Sequence, residues 1–380
     1  EGDWGHWTGR GMTWNSRCGA CHTTGFAKNL GVDDVYTSTW TDLGVTCAAC
    51  HGDASDHARG GPPPTNPRMQ DTCAACHQRR AELGVPFEPG MAVLDAFLPT
   101  LTDDPVFRAD GRGLDEVFAF SNFAASGMHE GGARCGSCHD PHSGALLHTG
   151  DALCNRCHDA LEPPAEHGVH ASSDDTRAGC VDCHMPTLTV MQRHARRDHG
   201  FTTPRRGLTP DPCADCHPAH PATADPDPAD QAFAALRSGG ELDRLDTNRW
   251  RAAAQLNLLE GRDHPLVREA LTSQDPLLRL AAAGSYDVGP GGMERLRPLL
   301  TDPVRAVRVA AQRTWMGGGG QWADAPDYVR YLDHNADDPL TRAERGLVRI
   351  QTGDGGGLAD LEWARKNDPN SPDIAAWLAL

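Results

Sequence analysis

Hydrophobic residues divide this chain unevenly. Up to about residue 229 long apolar runs are nearly absent, and "FEPGMAVLDAFLPTL" and "LDEVFAFSNFAASGMH", both within 78–134, stand out as a small packed segment. After the Pro- and Asp-rich stretch "HPATADPDPAD" the apolar residues return with a helical period. "DPLLRLAAAGS" at 275 and "DPVRAVRVAAQ" at 302 are near copies, each preceded by a further short helical pattern, "HPLVREALTS" and "GMERLRPLLT". In both copies Asp stands at the cap and Pro at the first helical position, a sound helix start. Paired helices at a regular period predict an α-solenoid, with a plain helical bundle as the simpler alternative because only two copies are clear.

The reading is a mainly α chain in three parts. Residues 1–220 carry short helical turns between long Gly-, Pro- and Asp-rich loops, 221–230 form a linker, and 231–380 form the helical repeat domain. Within the last part 262–315 are HEAT-like, and 325–380, with "GLADLEWARKNDPNSPDIAAWLAL", resemble a tetratricopeptide helix pair.

What can hold the first part together, with so little apolar sequence? Its cysteines answer. "WNSRCGACHTTGF" places Cys18, Cys21 and His22 in the spacing C-x-x-C-H, and the pattern recurs with Cys47, Cys50 and His51 and with Cys73, Cys76 and His77. It appears again with Cys135, Cys138 and His139, with Cys154, Cys157 and His158, with Cys180, Cys183 and His184, and with Cys213, Cys216 and His217. Seven motifs consume all 14 cysteines, so no thiol is left for a disulfide or a nucleophile. The spacing is that of c-type haem attachment. On a helical turn positions i and i+3 share a face, so both sulfurs reach the two vinyl carbons of one porphyrin while the adjacent imidazole turns onto the iron. A zinc site or a redox dithiol would not require His after every second Cys. Seven covalent haems c are expected, and these apolar plates replace much of the missing side-chain core.

Charge narrows the partners. The formal net charge is −17, and haem propionates would carry it to about −31 if all ionise, a field that disfavours nucleic acid and anionic membranes. Only Lys28 and Lys366 are lysines; the remaining cations are arginines, which pair bidentately with carboxylates, although a GC-rich genome would give the same bias. No stretch approaches the apolar length of a transmembrane helix. The chain opens abruptly at Glu1 and reads as a mature or incomplete piece of a longer precursor. Haem c attachment implies an exported, periplasmic or extracellular, location.

The stretches "HWTGRGMTWNSRCGACHTTG", "TSTWTDLGVTCAACHGDASDH", "FRADGRGLDEVFAFSNFAASGMH", "CGSCHDPHSG", "CVDCHMP" and "RRDHGF" resemble a bacterial family of secreted multihaem cytochromes. In that family a cytochrome c-554-like haem domain precedes HEAT or tetratricopeptide repeats. Members usually carry a further haem-binding segment upstream of "HWTG", and this chain starts just before it. The resemblance implies distal iron ligands at His6, His57, His129, His142, His167, His170 and His199, opposite the seven motif histidines. His220 is the reserve, while His148, His194, His264 and His334 read as ordinary residues. Because His139 and His142 are too close to bind one iron from opposite faces, His142 is expected on a neighbouring haem.

Imidazole on both faces leaves iron six-coordinate, low-spin and at low potential. The sequence therefore reads as an electron carrier and not an enzyme. It would relay electrons between redox proteins, which include other cytochromes or further copies of itself in a conductive assembly. The alternative is an oxidoreductase acting on a small nitrogen or sulfur compound at one open haem. Such sites are often marked by C-x-x-C-K, which does not occur here.

Overall fold

The computed structural model describes residues 11–102, 106–108, 112–114, 116–158, 179–190, 194–204, 211–212, 233, 235–261, 264–289 and 291–379. His6, His167, His170, Cys213, Cys216, His217 and the 221–230 linker lie outside the described residues. Contacts divide the chain into two compact units, one formed by 1–100 together with 256–380 and the other by 101–255. The composition break near residue 229 is therefore not where the contacts divide the chain.

In the first unit a π-helical turn, Trp14–Cys18, runs into α1 (Gly19–His22), followed by β1 (Thr23–Thr24) and β2 (Asp42–Leu43), which pair antiparallel. Three helices follow: α2 (Cys47–His51), α3 (Ser55–Ala58) and α4 (Met69–His77). Then β3 (Arg80–Glu82) pairs antiparallel with β4 (Phe97–Pro99) across α5 (Val93–Ala96). The apolar interval foreseen at 78–134 is packed, but it is shared: Val93, Leu94, Ala96 and Phe97 are buried in this unit, and Phe107, Val117, Phe120 and Phe123 in the other.

The second unit holds α6 (Phe120–Ala124), α7 (Gly127–Glu130) and α8 (Cys180–His184), then the antiparallel pair β5 (Thr187–Val190) and β6 (His194–Arg197). Arg249 opens α9 (Arg249–Asn257). Its first turn completes α6 from outside: Asn248 Nδ2 donates to Ala124 O at 3.2 Å and Arg251 Nε to Ala125 O at 3.0 Å. These are carbonyls that a helix end cannot satisfy by itself. Trp250 packs edge-on against Phe120, with ring centroids 5.8 Å apart.

The C-terminal helices are α10 (Pro265–Ala270), α11 (Pro276–Ser285), α12 (Gly292–Leu296), α13 (Arg305–Gly317), α14 (Pro326–His334), α15 (Pro339–Gln351), α16 (Gly357–Asn367) and α17 (Pro372–Trp377). Packing runs in order along the chain: α10 on α11, α11 on α13, α13 on α14, α14 on α15, and α15 on α16 and α17. Pro at the first helical position recurs in α10, α11, α14, α15 and α17, where its missing N–H costs nothing. Asp275 caps α11 as its sequence suggests, accepting from Leu277 N at 2.8 Å.

The second Asp-Pro stretch departs from that reading. Here α13 begins only at Arg305, with Val304 as its cap residue. Asp302 is taken up by Arg279, at 2.8 and 3.1 Å, and by Val304 N at 2.8 Å. The orphan donor Arg305 N turns to Asp95 Oδ1 of α5 at 3.0 Å. A long-range carboxylate has replaced the local cap.

That exchange is one of several ties between 11–100 and the C-terminal helices within the first unit. Lys28 Nζ meets Asp337 Oδ1 at 2.9 Å, both nearly buried, and Tyr36 donates to the other oxygen at 2.9 Å. Arg17 pairs with Asp338 at 3.2 Å, and His334 Nε2 with Glu82 Oε2 at 2.7 Å. Gly84, at φ 72°, lies directly against α14, where a Cβ would stand 2.8 Å from Arg330 Cγ and 3.2 Å from Arg330 O. Only glycine allows both that backbone and that approach.

Candidate haem-binding sites

Each described motif folds into one helical turn. Those at Cys47, Cys73 and Cys180 lie within α2, α4 and α8, and Cys18 is the cap residue of α1. The other two are 3₁₀ turns, Cys135–Ser137 and Cys154–Arg156, closed by His139 N to Cys135 O at 3.0 Å and His158 N to Cys154 O at 3.1 Å. Such a turn puts both cysteines on one side with the histidine stacked above the first of them.

The residues fit haem c. All twelve described motif cysteines are free thiols, partly or fully exposed. Large apolar side chains also stand in solvent beside the motifs, among them Leu43 and Val45 ahead of motif 2, 75% and 62% exposed, and Leu146 and Leu147 after motif 4. Leu146 bridges His139 through the backbone, and Leu147 N donates to Cys138 O at 2.9 Å. Thiol pairs, an imidazole and an adjoining apolar face are what a covalently attached apolar macrocycle needs.

The six described motifs are gathered in two groups of three. In the first unit α4 packs against both α1 and α2. Cys21 Sγ donates to Cys76 O at 3.8 Å and lies 3.9 Å from Arg80 Nη2. Arg80 is itself fixed over the Phe97 ring, 3.6 Å from its centroid, and donates to Ala75 O at 2.5 Å. The bonded Cys76 thiol pulls Cys21 down to about 6 against its burial, with Arg80 and His22 assisting. The neighbouring Cys21 side chain, and then partial burial, push Cys76 above the ordinary thiol range.

In the second unit Arg156 Nη1 donates to Ser137 O at 3.1 Å, joining motifs 4 and 5. Asp151 Oδ1, just before motif 5, accepts from Cys180 N at 2.8 Å and holds motif 6. Burial raises the Cys138 thiol, with the neighbouring Cys154 and Cys157 adding to it. Burial, then the Asp151 carboxylate, and last Cys154, push Cys180 up to about 12.

The histidines sort by their bonds. Nδ1 of His57 lies 3.1 Å from Gly61 O, that of His184 3.2 Å from Thr202 O and that of His199 3.0 Å from Arg197 O. A carbonyl only accepts, so each Nδ1 carries the proton and Nε2 keeps the lone pair that a metal takes. His129 sits on α7, edge-on to Phe123 at 5.3 Å, and burial followed by Arg134 and Arg249 keeps it below the usual imidazole range. His142 is exposed beside Asp140 Oδ1, 3.7 Å away. The rings of His139 and His199 lie near-parallel, with centroids 6.4 Å apart at 23°. His22, His51, His77 and His158 occupy their turns as the spacing requires. His264 instead caps α10, and His334 holds Glu82.

Sequence reasoning missed the supporting residues Arg80, Asp151, Asn122 and Asp198. Of these Asn122 and Asp198 carried a signal, inside the quoted "FRADGRGLDEVFAFSNFAASGMH" and "RRDHGF".

Comparison with known proteins agrees with this chemistry. Residues 7–52, spanning motifs 1 and 2, match the family model described as cytochrome c554 and c-prime. The chain is also similar to the dissimilatory sulfite reductase MccA of Wolinella succinogenes, 26% identical over 227 residues, covering 50% of this chain and 31% of the relative. It thus spans about a third of that relative's length. No solved structure matches. Motif turns, free thiol pairs and these matches together give the chain a cytochrome c554-like multihaem domain, distantly homologous to MccA.

Proposed function

We propose that this chain holds seven haems c, mostly or wholly bis-histidine, and passes electrons among them to redox proteins in the periplasm or outside the cell. The grouping of attachment turns carries the reading. Motifs 1, 2 and 3 converge around α4, and motifs 4, 5 and 6 around Asp151 and Arg156. Cys21 Sγ reaches Cys76 O across motifs 1 and 3, and Asp151 beside motif 5 holds Cys180 N of motif 6, so groups attached there are neighbours. Bound haem supplies a one-electron iron couple. The chain's own part is to fix the turns, to orient imidazoles through backbone carbonyls, and to set local polarity, which tunes potential. The packed C-terminal helices, read as HEAT- and tetratricopeptide-like repeats, offer the scaffold. Ordered repeats of this kind also suit docking of cytochromes or of further copies of the chain.

A second reading has specific support in the relative's name, a dissimilatory sulfite reductase. On that reading one haem keeps an open face and reduces a small sulfur oxyanion, the remaining haems feeding it. The comparison backs this reading better than it backs the carrier reading.

Two measurements test these readings. Intact mass after acid denaturation of fully matured protein should correspond to seven haems per chain, and six or fewer would refute the count. Electron paramagnetic resonance of the oxidised protein should show low-spin signals only, with no carbon monoxide binding after reduction. A stoichiometric high-spin signal, together with sulfite-dependent reoxidation of the reduced protein, would replace the carrier with the enzyme. Among the described residues no helix is long and apolar enough to cross a membrane.

A further inference from the structure

The segment 196–202 touches two attachment motifs at once. Arg197 clamps motif 6: its Nη2 meets Asp182 Oδ1 at 2.8 Å, and its Nη1 donates to Val181 O and Met185 O, each at 3.3 Å. Thr202 O, five residues on, accepts from Nδ1 of His184, the motif-6 histidine. Between these two anchors lies His199, whose ring is near-parallel to that of His139 of motif 4 and 6.4 Å from it, centroid to centroid.

The separation of those rings is informative. Aromatic faces in direct contact approach to about 3.5–4 Å. Two imidazoles bound to opposite sides of one metal ion, with bonds of about 2.0 Å each, place their centroids roughly 6 Å apart. The observed 6.4 Å is too long for direct stacking and is close to the spacing of the second case. The Nδ1–H of His199 is already committed to Arg197 O, which leaves Nε2 as the donor atom. Phe201 stands edge-on to His199 at 6.0 Å and to Phe123 at 6.3 Å, restricting the ring.

Asp198 explains why the chain turns here. It is 3% exposed, its N–H donates to Pro186 O at 3.0 Å, and its Oδ1 accepts from Gly200 N at 2.9 Å and from Asn122 Nδ2 of α6 at 3.0 Å. The bond to residue i+2 is an Asx-turn that fixes the backbone on both sides of residue 199. Burying a carboxylate is costly unless its bonds are needed, and what these bonds determine is the direction of His199.

We propose that His199 is the axial ligand opposite His139 on the iron carried by motif 4, and that Asp198, held by Asn122, is its positioning residue. Because Arg197 and Thr202 hold motif 6, the coordination of iron 4 is mechanically tied to the motif-6 turn. The inference rests on the multihaem reading.

The test uses the mature holoprotein. His199→Met should retain every haem by intact mass, while one component of the redox titration moves to higher potential, methionine raising it relative to histidine. That component should be missing from Cys135→Ser/Cys138→Ser protein. Asp198→Ala should convert part of the same haem to a high-spin, carbon monoxide-binding form, and Asp198→Asn, which keeps an oxygen for Gly200 N, should restore the low-spin signal. If His199→Met leaves all potentials and spin states unchanged at full haem content, the pairing is wrong although the multihaem reading stands. If Asp198→Ala matches the wild type, Asp198 has no positioning role. Wild-type protein without covalent haem would overturn both.

Discussion

Asp360→Ala should cost the first unit about 3 kcal/mol, at the low end of what breaking a buried ion pair costs, and lower its melting temperature by roughly 6–12 °C for a unit of this size. Asp360 is 3% exposed and takes Arg342 Nε at 3.0 Å, Arg345 Nη2 at 2.7 Å, Arg345 Nε at 2.9 Å and Arg349 Nη1 at 3.0 Å. Without the carboxylate, three guanidiniums crowd one site between α15 and α16. The cost stays at the low end because each retains a second partner: Asp34 for Arg342, Asp333 for Arg345 and Asp354 for Arg349. Asp34 belongs to the loop between β1 and β2, so the cluster also binds the motif-1 region to the helices. Asp354→Ala, at the exposed edge, should change little. Differential scanning calorimetry of both variants checks the contrast, and equal melting temperatures would refute the cluster's role.

The same residue gives the pH dependence a sign. Burial opposes ionisation of Asp360, but Arg345, Arg349 and Arg342 outweigh it and hold its carboxyl below the ordinary range. A carboxyl depressed on folding contributes stability that is complete above its unfolded value, about 3.9, and is lost as pH falls through the folded one. Wild type and Asp360→Asn should therefore differ most near neutrality and converge below about pH 4.

Why was this cluster illegible in the sequence when the motifs were not? C-x-x-C-H needs only five residues and one helical turn, so its spacing states its chemistry. The apolar period of α11 is equally local, with Leu277, Leu280 and Ala281 buried on one side. Lys28 and Asp337 carry no such mark. They are separated by 309 positions, and a charged residue in a polar loop reads as solvated until its partner is known. The same distance hides Gly84 against Arg330, and Asp95 as the replacement cap of α13. The association of 1–100 with 256–380 follows from such pairs and from nothing periodic. Histidine roles fall between these extremes: motif histidines are fixed by position, whereas the orientation of His199 depends on an Asx-turn and on an asparagine 76 residues from Asp198.

The attachment motifs should also differ in what their loss does to the protein. Motif 3 lies inside the first unit: Thr72, Ala74 and Ala75 of α4 are buried, and α4 packs on α1, α2 and α5. Motif 5 is peripheral, with no buried residue in its turn and Cys157 exposed. An apolar plate removing even ~200 Å² of surface from water contributes about 5 kcal/mol at roughly 25 cal/mol per Å², which is comparable with the whole stability of many domains. Cys73→Ser/Cys76→Ser should therefore lose more than one haem, because α1 and α2 lose the surface they pack on. The first unit should then become sensitive to protease while the second remains intact. Cys154→Ser/Cys157→Ser should lose a single haem and leave the first unit's melting unchanged. Intact mass gives the haem count and limited proteolysis the integrity of each unit. Equal haem loss and equal protease resistance in the two variants would mean that burial of the turn does not govern how far the chain depends on its haem.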